Sequence, residues 1–127
     1  MVSFEAFRAM DGTPVYLQII NFIKRGAIAG TIRDGDELPS RRVLSALLGI
    51  NPNTVQKAFH MLEEEHLMES RTGTKSCMTL PPDILDALRR EVLSDELRTM
   101  ARTLRQLGIS KKEALRLIEQ AWEEEET

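Results

Sequence analysis

A chain of 127 residues, 42% apolar and 29% charged, has the size and mix of one ordinary globular domain or a small domain with an appendage. Aromatic residues are only 5% against plentiful Leu, Ile and Ala, which favours helices over a β-sandwich, and the single Cys77 excludes an intrachain disulfide framework. The net charge of -3 argues against a polyanion partner as long as only the sum is considered.

Residues 1–13 form a leader in which Phe4, Phe7 and Met10 recur every third position, a helix-like spacing suited to docking on a core. Thr13 is a candidate N-cap and Pro14 a good first-turn residue. Tyr16, Ile19, Ile20, Ile23, Ala27 and Ile28 then repeat at helical spacing, predicting an amphipathic helix of about four turns that stops near Gly30. Arg33 to Glu37 reads as a loop. Leu38-Pro39 leads to Ser40, a natural N-cap for a short helix from about Arg41 to Leu48 with Val43, Leu44, Leu47 and Leu48 apolar. Gly49 supplies the stop, Asn51 a new cap and Pro52 a first helical position.

The third helix carries Val55, Ala58, Phe59 and Leu62 at i, i+3, i+4 and i+7, and shows Asn53, Thr54, Gln56, Lys57 and His60 on its other face. Two helices joined by a tight Gly-containing turn are helix-turn-helix grammar. After Glu63-Glu64-Glu65, two β-compatible stretches flank Thr72-Gly73-Thr74 and read as a hairpin closed by Pro81-Pro82. The expected fold is therefore mainly α with a small β-hairpin: a winged helix-turn-helix domain over residues 1–80.

Residues 81–127 are expected to be a two-helix appendage. Leu93, Leu97, Met100, Leu104 and Leu107 form a 4-3-4-3 stripe, and Leu85, Leu88 and Val92 form one offset by a residue, so a bend is expected near Ser94-Asp95-Glu96. Gly108 stops that helix, and Ser110 with Glu113 reads as a capping box. The last helix is expected to turn Ala114, Leu117, Ile118 and Ala121 inward, with Trp122 beside them as core, before an acidic tail from Glu123 to Glu126. A two-helix hairpin cannot cover such a stripe alone. Leu93, Leu97, Met100, Leu104, Leu107, Leu117 and Ile118 are thus the candidate dimerisation residues.

The charge is unevenly spread. Residues 1–80 carry nine basic and nine acidic side chains, whereas 81–127 carry eight and eleven. Within the first part, Leu38 to Leu62 holds Arg41, Arg42 and Lys57 and no acid, a local basic surface that a polyanion meets whatever the net charge. Short hydrogen-bonding side chains at a helix start suit a major groove, where Asn or Gln pairs with adenine, and a cationic hairpin tip of Arg71, Thr72, Gly73 and Lys75 suits a neighbouring groove.

These blocks resemble the GntR family of bacterial transcription regulators. The resemblance lies in Pro14-Val15-Tyr16-Leu17-Gln18-Ile19, Leu38-Pro39-Ser40-Arg41-Arg42-Val43-Leu44, Gly49 to Phe59, and Leu62-Glu63, and covers roughly residues 12–78. The short helical C-terminal part looks like the YtrA-type branch, which is similar to small dimeric repressors often associated with transporter operons. The resemblance implies DNA contact by Arg42, by Asn51, Asn53, Thr54 and Gln56, with Lys57 beside them, and makes Gly73 the wing glycine. Pro52 stands where other branches carry an arginine. The expected partners are double-stranded DNA with a pseudo-palindromic operator and a second copy of the chain; the small-molecule effector stays open.

Other classes fare worse. Glu63-Glu64-Glu65-His66 lacks metal-ligand spacing, Cys77, His60 and His66 do not make a zinc set, and no phosphate loop or nucleophile elbow appears, so neither catalysis, cofactor nor metal is expected. An adaptor working only through protein contacts, or a small-molecule sensor using its helical part, are the alternatives. The run Thr13 to Ile23 is too short and polar to cross a bilayer, and no basic stretch followed by an apolar run opens the sequence, so a cytoplasmic protein is expected.

Overall fold

The computed structural model describes residues 1–71 and 75–126 and contains five helices and three short strands among them. The chain divides into two compact units, Met1–Arg89 and Arg90–Thr127.

In the first unit, α1 (Val15–Ala29) packs on α3 (Pro52–Glu64), and α2 (Arg41–Leu48) packs on the same helix. The core is where the sequence periodicity places it: Ile19, Ile23, Leu44, Val55, Ala58, Phe59 and Leu62 are buried. Each helix end has a local cause. Ser40 Oγ accepts from the Val43 N–H at 3.2 Å, and Asn51 Oδ1 accepts from the Asn53 N–H at 2.8 Å. Between them Gly49 has φ 66°, a backbone state that a side chain disfavours, which lets α2 end and α3 begin within three residues. The buried Ser45 hydroxyl donates to the Ile50 carbonyl and closes that turn from inside. Gly26 allows a second close approach: a Cβ there would lie 2.6 Å from Ile32 Cδ1.

Several expectations change. The Phe4 and Phe7 leader does dock, with ring centroids 5.2 and 5.6 Å from Phe22, but it is a turn rather than a helix, and Met10 is 75% exposed. Gln18 explains this, because its side chain bonds the Met10 N–H, the Met10 carbonyl and the Thr13 carbonyl and ties the segment down in a non-helical turn. Thr13 does not cap α1; Pro14 is the cap residue and makes no side-chain bond. Val43 and Leu47 face outward, because α2 is only two turns long and Leu44 and Ser45 take its inner side.

The wing hairpin is present. Strands β2 (Met68–Ser70) and β3 (Ser76–Met78) pair antiparallel, and the Arg71 N–H donates to the Lys75 carbonyl. The stretch assigned to a loop ends in a further strand, β1 (Glu37–Leu38), which pairs with β3 and gives the order β1-β3-β2. Cys77 lies on the middle strand opposite Glu37 and Glu69, and is buried.

Helix α4 (Pro82–Gln106) begins in the first unit, where Leu88 is buried, and runs without the expected break at Ser94-Asp95-Glu96. No Pro or Gly interrupts it after Pro82, so the offset between the two stripes is absorbed along a single helix. Ser110 Oγ caps α5 (Lys111–Glu126) through the Glu113 N–H at 3.2 Å, and the acidic tail is its last turn. The residues expected to point inward from α5 do not find a core within the chain. None of α5 is buried, Leu117 and Ile118 are exposed, and Trp122 is 69% exposed. No helix among the described residues is long and apolar enough to cross a membrane.

Candidate nucleic-acid interface

The apolar stripe Val55, Ala58, Phe59 and Leu62 fixes the rotation of α3, so Asn53, Gln56, Lys57 and His60 are exposed together on its outer side, with Thr54 half-buried beside them. The first turn of α3 contains no acid, which leaves its N-terminal partial positive charge unneutralised. Asn51 spends its carboxamide oxygen on its own helix as the cap, which leaves its amide N–H groups for a partner. His60 is paired with Glu64 at 2.8 Å, one turn on along the same helix.

Arg41 and Arg42 open α2 and are exposed. The fold brings them to the wing: a cleft of about 500 Å³ is lined by Ser40, Arg41, Arg42, Phe59, Ser70, Lys75 and Ser76. Three cations from two distant stretches of sequence therefore share one concavity with Ser40, Ser70 and Ser76, and the cations match phosphate oxygens. Arg71 is exposed at the base of the hairpin tip, while Thr72 and Gly73 lie outside the described residues. Among the described residues no cluster of His, Cys, Asp and Glu is arranged to hold a metal.

Two neighbours of these cations escape sequence reasoning. Glu37 of β1 sits 3.8 Å from the Lys75 ammonium, and the ring of Tyr16 lies under the Lys57 ammonium, 4.1 Å from Nζ to centroid. Ser70 Oγ donates to Glu63 at 2.6 Å, tying the wing to the end of α3. The polar spacing of Ser40, Ser70 and Ser76 carries no signal by itself, because Ser70 meets Ser76 only through the pairing of β2 with β3, and Ser40 follows β1, which pairs with β3 on its other side.

With this geometry established, comparison with known proteins is specific. Residues 15–75 match the family of bacterial regulatory proteins, gntR family. These residues, just under half of the chain, place its helix-turn-helix in the gntR family. Within it, the helix-turn-helix is 44% identical over 63 residues to the HTH-type transcriptional repressor YtrA of Bacillus subtilis, covering 50% of this chain and 48% of that protein. The uncharacterised HTH-type regulator YhcF of the same organism is 29% identical over 102 residues, covering 80% of this chain and 84% of YhcF. A GntR family transcriptional regulator from Listeria monocytogenes has a similar structure, with TM-score 0.81 and 28% identity over 88% of this chain and 98% of that one. The chain thus spans most of YhcF and of the Listeria protein, but about half the length of YtrA. As a member of this family it is a transcription regulator with a DNA-binding winged helix-turn-helix of the YtrA type, and its relatives are regulators rather than enzymes.

Proposed function

We propose that this gntR-family regulator is a cytoplasmic homodimeric repressor of its own, transporter-linked operon. Residues 1–80 bind the operator and residues 81–127 dimerise. The outer face of α3 enters the major groove, where Asn53, Thr54 and Gln56 meet base edges and Asn51 meets the strand at the helix start. Arg41, Arg42 and Lys75 grip backbone phosphate from the shared cleft, and Arg71, with Thr72 and Gly73 next in sequence, contacts the neighbouring groove. Two-fold symmetry calls for a pseudo-palindrome with half-sites about one helical turn, roughly 10–10.5 bp, apart.

The observation that carries the DNA-binding part is the meeting of Arg41 and Arg42 with Lys75 beside an acid-free, outward-facing α3 start. Dimerisation is supported by the second unit. There Leu97, Met100 and Leu104 of α4 and Ala114, Leu115 and Ile118 of α5 line an open apolar groove of about 570 Å³, and Leu93 of α4 and Leu107 just past its end are exposed. Repression is supported by the similarity to YtrA, a transcriptional repressor, and the transporter-linked operon by the resemblance of the sequence to the YtrA-type branch.

The test is a titration against duplex from the promoter of its own operon and a scrambled duplex, at two salt concentrations. Operator binding should weaken steeply with salt, because each neutralised phosphate releases counterion. Arg42→Ala should weaken binding to both duplexes, and Gln56→Ala should mainly cost preference, by about 1–3 kcal/mol if it pairs bidentately with a base. Both variants remaining folded and binding operator as the parent does would put the recognition surface elsewhere and favour a protein-binding adaptor.

A further inference from the structure

We infer that Tyr16 is a positioning residue for DNA binding: its ring holds the Lys57 ammonium in place on the outer face of α3, where the cation meets a backbone phosphate. The inference rests on α3 being the recognition helix, and adds to it a residue from the first turn of α1.

The first unit contains three lysines, Lys24, Lys57 and Lys75, and each is held differently. Lys24 pairs with the Glu65 carboxylate at 2.9 Å, and Lys75 lies 3.8 Å from that of Glu37. A carboxylate partner opposes the field that a cation offers to a phosphate, and it must be displaced or tolerated when DNA arrives. Lys57 has no carboxylate partner among the described residues and sits instead over the Tyr16 ring, 4.1 Å from its centroid. A ring quadrupole attracts the ammonium without cancelling its charge. It also occupies one side of the group, leaving N–H donors on the other for phosphate oxygen.

The contact matters because of what lysine is. Its charge rides on a flexible four-carbon stem, and ordering that stem on binding costs rotamer entropy. Lys57 is exposed, so the ring is what narrows its range, and Tyr16 is half-buried on α1, which packs on α3. Preorganisation of this kind raises affinity without adding a contact to the DNA.

The test is a double-mutant cycle on operator affinity with Tyr16→Leu, Lys57→Met and the double variant, and Tyr16→Phe as the conservative control. Tyr16→Leu should lose about two- to fivefold, the range of an exposed cation–π contact, while Tyr16→Phe keeps the ring and the affinity. Lys57→Met should lose more and lower the salt slope by about one unit. In the Lys57→Met background, Tyr16→Leu should cost nothing further. An equal loss in both backgrounds would make Tyr16 merely structural and overturn the inference, as would no loss in either. In the free protein the Lys57 ε-methylene proton resonances should be shifted upfield by the ring, and an unshifted resonance overturns the inference even if Tyr16→Leu does not fold. If Lys57→Met binds like the parent, Tyr16 and Lys57 lose their roles, while Arg42→Ala and Gln56→Ala still decide whether α3 reads DNA.

Discussion

The two units of this chain handle apolar surface in opposite ways. In the first, Ile19, Ile23, Phe59 and Leu62 are covered by neighbouring elements of the same chain, and the outer face of α3 is left polar. In the second, two amphipathic helices lie without a buried residue in α5, and Leu97 is 62% exposed. A stripe of that kind is costly in water, at roughly 1.5–3 kcal/mol for each large aliphatic side chain left unburied. The contrast teaches where independence ends: the winged helix carries its own core, while the appendage leaves its apolar stripe uncovered, and a second copy is the cover that the proposed homodimer would supply.

The sharpest way to break that comparison is to charge the apolar stripe. Leu97→Asp combined with Leu104→Asp should convert a dimer to monomers by light scattering and leave the winged helix folded. A parent chain that is monomeric at micromolar concentration would show that the stripe has no partner. Next in size, Phe59→Ala should cost about 3–5 kcal/mol of stability, seen as a lowered melting transition of the first unit, because the side chain is fully enclosed and its removal leaves a cavity. Both changes remove large apolar side chains, yet the first should act on assembly and the second on folding. The smallest effect is expected at the cleft. Glu37→Gln removes the carboxylate near Lys75 and should tighten operator binding severalfold at low salt, with the gain fading as salt rises, since the pair is partly exposed.

Much of the fold was legible because its signals are local. Ser40, Gly49, Asn51 and Pro52 mark helix ends by chemistry that acts within a few residues, and the 3.6-residue spacing of Val55, Ala58, Phe59 and Leu62 fixes which side of α3 faces out. The polar face of the candidate interface follows directly. Periodicity failed where it had to say what covers a stripe: Leu117 and Ile118, with Trp122 beside them, sit on an amphipathic helix and yet remain exposed. It failed too at Val43 and Leu47, since a two-turn helix has room for only one inward side, and at Met10, where bonds from Gln18 outweigh a spacing of three.

By itself, then, the sequence determined the helix-turn-helix, the position of the hairpin, the basic stretch from Leu38 to Leu62 and the membership of the family those residues carry. Only the tertiary structure decided that Glu37–Leu38 is a strand, because two residues have no period of their own and extend only where β3 offers free backbone groups. That pairing sets Glu37 beside Lys75. Packing of α1 on α3 likewise sets Tyr16 beneath Lys57, and the hairpin delivers Lys75, Ser70 and Ser76 to Arg41 and Arg42. The reason is the same in each case: what a cation does depends on its nearest neighbours in space, and those neighbours come from elements far apart along the chain.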